Sequence, residues 1–170
     1  MELRRICAWC GAVLDPRSAA LEAGAPITHG ICPACLSRVL QERARSLADF
    51  LESLEGPVLL VDGEGVFQEA NSRACEALGK DRRRVLDRRG GEVIECVYAD
   101  RQGGCGASEH CRTGCVIRRS VRHTLSSGQA VVRARAEQQV HSAEGDRLAR
   151  FVISTEKAGE LVLLRIDEIR

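Results

Sequence analysis

Aromatic side chains are scarce in this 170-residue chain, where three Phe, one Trp and one Tyr amount to 3%. Without stacking platforms beside its basic groups, the chain does not read as a nucleic-acid binder. Net charge is lacking too. Lys plus Arg number 25 and Asp plus Glu 24, a formal +1 at pH 7, which argues against a surface made for polyanions or anionic membranes. No apolar run approaches the roughly 18 residues that span a bilayer. The opening Met1-Glu2-Leu3-Arg4-Arg5-Ile6-Cys7 has no signal-peptide apolar core, so the expected location is cytoplasmic, with no membrane partner. Lysine is nearly absent (Lys80 and Lys157), and arginine supplies the remaining basic charge, a bias that reads as genomic base composition. A Ser/His/Asp set, a phosphate-cradling glycine loop and kinase motifs are missing as well, so no enzyme is expected.

Cysteine is what the chain has in excess, with nine residues. In a reducing compartment, that many thiols point to metal ligation or redox chemistry before structural disulfides. They sort into Cys7, Cys10, Cys32 and Cys35, then Cys75 alone, then Cys96, Cys105, Cys111 and Cys115. The first four form two Cys-x-x-Cys knuckles. A tight turn puts both sulfurs of a pair on one side, and four thiolates complete tetrahedral zinc at about 2.3 Å. Gly11 suits the sharp turn after Cys10. Residues 1–35 are interrupted by Pro16, Gly24, Pro26, Gly30 and Pro33 and are too few to bury a core of their own. Zinc ligation by Cys7, Cys10, Cys32 and Cys35 would supply the missing folding free energy. A thioredoxin-like dithiol would need a βαβ setting that is not there. His29 is left out, because four sulfurs already fill the shell.

The spacing of Cys96, Cys105, Cys111 and Cys115 matches neither a zinc ribbon nor a ferredoxin run. Gly103-Gly104-Cys105-Gly106 permits a tight loop whose amides can meet sulfur. Cys111 and Cys115 are expected on one face at the start of a helix, where the dipole and free amides favour thiolate. These four residues are a candidate cofactor site with three readings: an iron–sulfur cluster, a second zinc, or metal-free thiols that are reduced or reversibly disulfide-linked. An oxidant acting there would change charge and packing, as a redox sensor requires. Cys75 reads as a small core residue. His110 reads as a solvated loop residue, and His123 has no haem motif beside it. Arg82-Arg83-Arg84 and Arg88-Arg89 alternate with Asp81 and Asp87 and read as solvated surface.

The pattern along the chain divides it into a loop-rich segment 1–35, an amphipathic connecting helix 36–55, and a domain over 56–170 with a cysteine-rich insertion at 96–115. In the helix, Leu36, Leu40, Ala44, Leu47, Leu51 and Leu54 make one apolar seam, for packing on the following domain or for a dimer. Beyond it, Pro57–Asp62 and Val66–Ala70 read as a hairpin around Gly63-Glu64-Gly65. Asn71 is the N-cap of a short helix ended by Gly79, and residues 80–104 read as irregular. A longer helix is expected over 112–125, burying Val116, Ile117, Val121 and Leu125. Runs at 130–140, 148–155 and 161–169 close the chain as strands, with turns at 142–146 and 157–160. Hairpin-linked strands with helices inserted between the second and third make an antiparallel sheet with helices on one face.

The stretch Pro57-Val58-Leu59-Leu60-Val61-Asp62-Gly63-Glu64-Gly65, the helix opening Glu69-Ala70-Asn71-Ser72-Arg73-Ala74, and the closing Leu161–Ile169 resemble the PAS sensor-domain family over about residues 47–170. Residues 1–35 are similar to the short zinc ribbons found ahead of bacterial sensor domains. The fold class implied is α+β: a zinc-ribbon-like segment, a connecting helix, then a PAS-like five-stranded antiparallel sheet. The function implied is a signal-sensing module that reads redox state, metal or a small ligand. With nothing following Arg170, it is expected to act on a signalling partner in trans, with a possible homodimer through the connecting helix. Two other classes stay open: a zinc-ribbon transcriptional regulator that contacts DNA, and a thiol or iron–sulfur redox protein.

Overall fold

The computed structural model describes residues 3–15 and 24–170, with the side chains of 43–46 excepted. Pro16 of the expected loop and the side chain of Ala44 in the expected seam therefore lie outside the described residues. Among the described residues no helix is long and apolar enough to cross a membrane. The chain forms two compact units, Met1–Leu47 and Ala48–Arg170.

In the first unit β1 (Arg4–Cys7) pairs in parallel with β2 (Ile27–Gly30). The chain then turns back on β1, since the Cys7 N–H donates to the Ala12 carbonyl at 2.8 Å and the Leu14 N–H to that of Arg5 at 3.0 Å. Cys7 and Cys10 thus flank the tip of a small hairpin. Helix α1 (Pro33–Ser53) begins on a proline, whose missing N–H costs nothing at a first helical position. Among the described residues of this unit only Cys7 and Cys35 are buried, while Leu36, Leu40 and Leu47 of the expected seam are exposed. Among the described residues, the apolar seam of α1 is covered at its C-terminal end, where Leu51 and Leu54 pack.

The second unit is built on an antiparallel sheet ordered β4-β3-β7-β6-β5. The elements are β3 (Val58–Val61), β4 (Phe67–Ala70), β5 (Val131–Val140), β6 (Arg147–Ala158) and β7 (Leu161–Ile169). All four β3 residues are apolar and buried, which suits a strand covered on both faces. Leu59 and Val61 enter the main core with Phe67, Val121, Phe151 and Ile153. Val58 and Leu60 meet Leu51, Leu54, Leu161 and Leu163 on the other face. The end of α1 thus covers the back of the sheet, in addition to the helices expected over its front.

Asn71 is buried and caps α2 (Ser72–Leu78). Its Oδ1 accepts from the N–H groups of Ala74 (2.9 Å) and Val58 (3.0 Å), and its Nδ2 donates to the carbonyls of Gly56 (2.9 Å) and Leu51 (3.2 Å). One side chain therefore ties helix, strand and the end of α1 together, and α2 ends at Gly79 as expected.

Residues 80–104 are less irregular than expected. They contain α3 (Arg82–Val85) and α4 (Gly90–Val93), each a single turn that buries one valine. The long helix also starts later than expected. A π-helical turn, His110–Gly114, comes first, and α5 runs Val116–Ser127 with Cys115 as N-cap and Gly128 as C-cap. Across the α5–sheet interface the Thr124 and Thr155 hydroxyls lie 2.7 Å apart, and Thr124 also donates to the Gln129 carbonyl. The last three strands lie where expected, with β6 extended to Ala158 so that the final turn shortens to Gly159-Glu160.

Candidate metal centre and candidate ligand cavity

In the first unit the sulfurs of Cys7, Cys10, Cys32 and Cys35 all lie within 4.8 Å of one another. The Cys10 and Cys32 sulfurs are 3.8 Å apart. Tetrahedral bonds of about 2.3 Å require an edge of about 3.8 Å, so the set has the dimensions of a single-ion site. The backbone builds it from two directions. The hairpin offers Cys7 and Cys10, while Cys32 and Cys35 stand at the N-terminus of α1, where free amides and the helix dipole favour anionic sulfur. The Cys32 N–H donates to the Cys7 sulfur and the Cys35 N–H to the Cys32 sulfur, each at 3.4 Å.

Amides of Cys10, Cys32 and Trp9 hold the Cys7 thiol down to about 6. Hydrogen bonding to the Cys32 sulfur, then burial, pushes Cys35 up to about 12. One ligand is therefore ready to bind, and another yields its proton only to a cation. Four soft thiolates with no open position suit a structural thiophilic ion. His29 is exposed on β2 and outside the set.

In the second unit, a cavity of about 80 Å³ lies between the sheet and the helices. A single water needs about 10–15 Å³. The walls are almost wholly apolar, and all four of Cys96, Cys105, Cys111 and Cys115 contribute to them. Each arrives on a different segment. Cys96 follows α4 and is tacked to the edge of β5, where the Val97 N–H donates to the Gln139 carbonyl (3.0 Å) and the His141 N–H to that of Glu95 (2.8 Å). Cys105 sits on the glycine loop, held through its carbonyl by the Arg89 guanidinium at 2.7 Å. Arg89 is thus a loop anchor, which corrects its reading as solvated surface. Arg82 is likewise partly buried, paired with Glu69 and the Ala70 carbonyl.

Cys111 and Cys115 do not share the face of one α-helix. Cys111 is in the π turn and Cys115 caps α5, because the helix restarts after Gly114. The expected depression of a helix-terminal thiol is also overturned for Cys115. Burial pushes its pKa up, outweighing the Arg118 and Ile117 amides directed at its sulfur. Burial likewise raises Cys96 against the amides of Tyr98 and Ala99, and Cys105 against that of Gly91. Among the described residues these four sulfurs do not gather as a single-ion set, which only the N-terminal four do.

Three residues of this site were not singled out from the sequence. Gln138 is buried on β5; its Oε1 accepts from the Cys96 thiol at 3.7 Å and its Nε2 donates to the Cys115 sulfur at 3.6 Å. Its signal was a polar residue at an inward step of the strand, between Ala136 and Val140. Gly91 is where Cys105 seats, since a Cβ there would come 2.6 Å from the Cys105 sulfur. Arg118 lines the cavity, with Nη1 donating to the Glu64 carbonyl at 3.1 Å and a buried Nε that has no hydrogen-bond partner. Cys75 packs partly buried against the core. His110 stacks on Tyr98 with ring centroids 4.0 Å apart, so it is a packed residue instead of a solvated one, and His123 is exposed.

A family model described as PAS domain matches residues 45–112. Among curated proteins no sequence matches. Among solved structures, the chain is similar to a domain of a sensory box sensor histidine kinase/response regulator from Geobacter sulfurreducens, at 16% identity and TM-score 0.46, covering 76% of this chain and 96% of that one. It is also similar to the PAS domain of an HTR-like protein from Haloarcula marismortui, at 21% identity and TM-score 0.41, covering 76% and 97%. A Rhodobacter sphaeroides LOV protein is similar at 14% identity and TM-score 0.48, covering 74% and 66%. The family-model match thus begins within α1 and ends within the second cysteine set.

Proposed function

We propose that this chain is a sensory module whose second unit reads redox state at the cysteine-lined cavity and signals to a protein partner. The carrying observation is that Cys96, Cys105, Cys111 and Cys115, from separate segments, meet at one apolar cavity. The first unit is the support, stapled by zinc on Cys7, Cys10, Cys32 and Cys35.

Transmission has a short route. Leu59 and Val61 line the cavity, while Val58 and Leu60 of the same strand pack on Leu51 and Leu54. A change in cavity packing is therefore felt one peptide away on the opposite face of the sheet, because close-packed interiors transmit strain. The exposed Leu36, Leu40 and Leu47 support pairing with a second copy through α1.

Hydrogen exchange tests this reading. Protein kept under anaerobic conditions is compared with the same protein after hydrogen peroxide. Exchange is expected to change across residues 96–115 and in β3, and the Cys111→Ser/Cys115→Ser variant is expected to lose that response. Identical exchange before and after oxidant, or a full response in the variant, would overturn the proposal.

A further inference from the structure

Resting on that redox reading, we infer that Cys96, Cys105, Cys111 and Cys115 hold an iron–sulfur cluster in the cavity and that the signal is an electron gained or lost there. A single tetrahedral ion draws its four sulfurs to about 3.8 Å from one another. The N-terminal thiols have about that spacing, whereas the four cavity thiols come from separate segments to the wall of one void. Ligands distributed around a space several times larger than a water call for a polynuclear filler, and four thiolates are the ordinary ligand set of such clusters.

The polar groups around the void suit sulfur that carries charge. Amides of Tyr98 and Ala99 point at Cys96, that of Gly91 at Cys105, and those of Ile117 and Arg118 at Cys115. The Gln138 amide adds a side-chain donor to Cys115. Hydrogen bonds to cluster sulfurs are among the means by which a protein sets the potential. Arg118 supplies the counter-charge. Its buried Nε lacks a hydrogen-bond partner, and its cation is within electrostatic reach of Cys105. Buried charge is tolerated when it is paired. An oxidised cubane bound by four thiolates is a dianion in an apolar cavity, and this guanidinium is a cation placed at the wall. A Cβ at Gly106 would come 2.7 Å from Arg118 Nη1, so the glycine loop itself makes room for that cation.

Reduction adds one electron from a one-electron donor to the cluster, with no bond broken and no proton moved. The added negative charge acts on Arg118, which holds the β3–β4 turn through Glu64, and on Gln138 in β5. β4 and β5 are the two edges of the sheet, so one electron alters the electrostatics at both.

The test is full-length protein purified without oxygen and reconstituted with ferrous iron and sulfide, then assayed for iron, acid-labile sulfide and visible absorbance with and without dithionite. Expected are iron and sulfide in equal amounts, broad absorbance that dithionite bleaches, loss of sulfide in Cys96→Ser and Cys111→Ser, and retention in Cys75→Ser. Arg118→Gln is expected to assemble the cluster with a more negative potential, since the reduced form loses its neighbouring cation. Bound zinc without sulfide at these cysteines, colourless protein, or a cluster that survives the cavity variants would each overturn the inference. The peroxide-induced exchange response separates the two failures. If it persists in cluster-free wild type, only the cluster falls; if it too is absent, the redox reading falls with it.

Discussion

In the first unit the only buried side chains among the described residues are Cys7 and Cys35, whereas the cavity cysteines sit inside a domain already filled by Leu59, Phe67, Val121, Ile153 and their neighbours. Four thiols therefore stand in two different relations to folding. Where there is no apolar core, an ion joining the four sulfurs would be the core, and its ligation free energy would be folding free energy. Where the core exists without them, the thiols border a void, and what fills it changes the domain's state without creating the domain. Placement agrees with this: the N-terminal sulfurs lie within 4.8 Å of one another, while the cavity cysteines reach one void from separate segments.

The largest effect expected from this contrast is the loss of the first unit alone when its ion is removed. Structural zinc in small domains is worth about 10–16 kcal/mol in apparent binding free energy, more than so few buried side chains supply. Cys10 is exposed, so Cys10→Ser opens no core cavity and acts only through the metal. With Cys10→Ser, or a chelator on the wild type, zinc should leave, and amide protection at 4–7 and 27–30 should vanish. The melting transition of the second unit should stay in place. A single transition shifted as a whole would break the contrast.

A smaller effect, on the second unit only, should follow from Asn71→Ala. The substitution removes the side-chain partner of the Val58 and Ala74 N–H groups and of the Leu51 and Gly56 carbonyls, of which Ala74 and Leu51 keep a backbone partner. Removing one buried partner leaves the other unsatisfied, and the expected loss is about 3 kcal/mol, or a melting temperature lower by roughly 10 °C for a unit of this size. Zinc content should be unchanged. Measuring both on one sample tests whether the units are energetically separate.

Asn71 also shows what the sequence discloses well. A helix-capping residue and a closing glycine act locally, so Asn71 and Gly79 bounded α2 correctly, and alternation placed β5, β6 and β7. The N-terminal cysteine group was visible because two Cys-x-x-Cys knuckles fix sulfur positions locally. What was hidden depends on partners far along the chain. In the parallel pairing of β1 with β2, exposed and half-buried positions alternate along Ile27-Thr28-His29-Gly30, but apolar Ile27 is on the exposed side, so hydrophobicity gives no alternation to read. The seam of α1 shows its period but not what covers it, and only Leu51 and Leu54 pack. The interval between Cys111 and Cys115 suggested one helical face, yet Gly114 allows the π turn to end before α5 begins. Arg118 carried no signal, because its role exists only once the glycine loop lies against it.

The smallest effect concerns pH, where the two units should respond with opposite sign. His141 ends β5, with Nδ1 2.7 Å from Asp146 and Nε2 3.1 Å from Asp100. A neutral imidazole has one N–H and serves one carboxylate; the imidazolium serves both. The hydrogen bond to Asp146 accordingly raises the His141 pKa above its ordinary value. A group whose folded pKa exceeds its unfolded value of about 6.5 gives its full stabilisation below that value and loses it as pH rises through the folded pKa. Taking the protein from pH 8 to 5.5 should therefore stabilise the second unit of wild type relative to His141→Asn, and fasten Asp100 of the cysteine-bearing segment to the β5–β6 hairpin. Glu52 and Glu95, whose pKa values are lowered by Ser72 and Lys80 respectively, lose their contributions only nearer the unfolded carboxylate value of about 4.3, so this window isolates the histidine. The same acidification works against the first unit, because thiolates must be deprotonated to hold zinc. Melting curves of wild type and His141→Asn across this range, followed alongside zinc release, should diverge in the second unit as zinc leaves the first; a constant difference between the two proteins would remove His141 from the account.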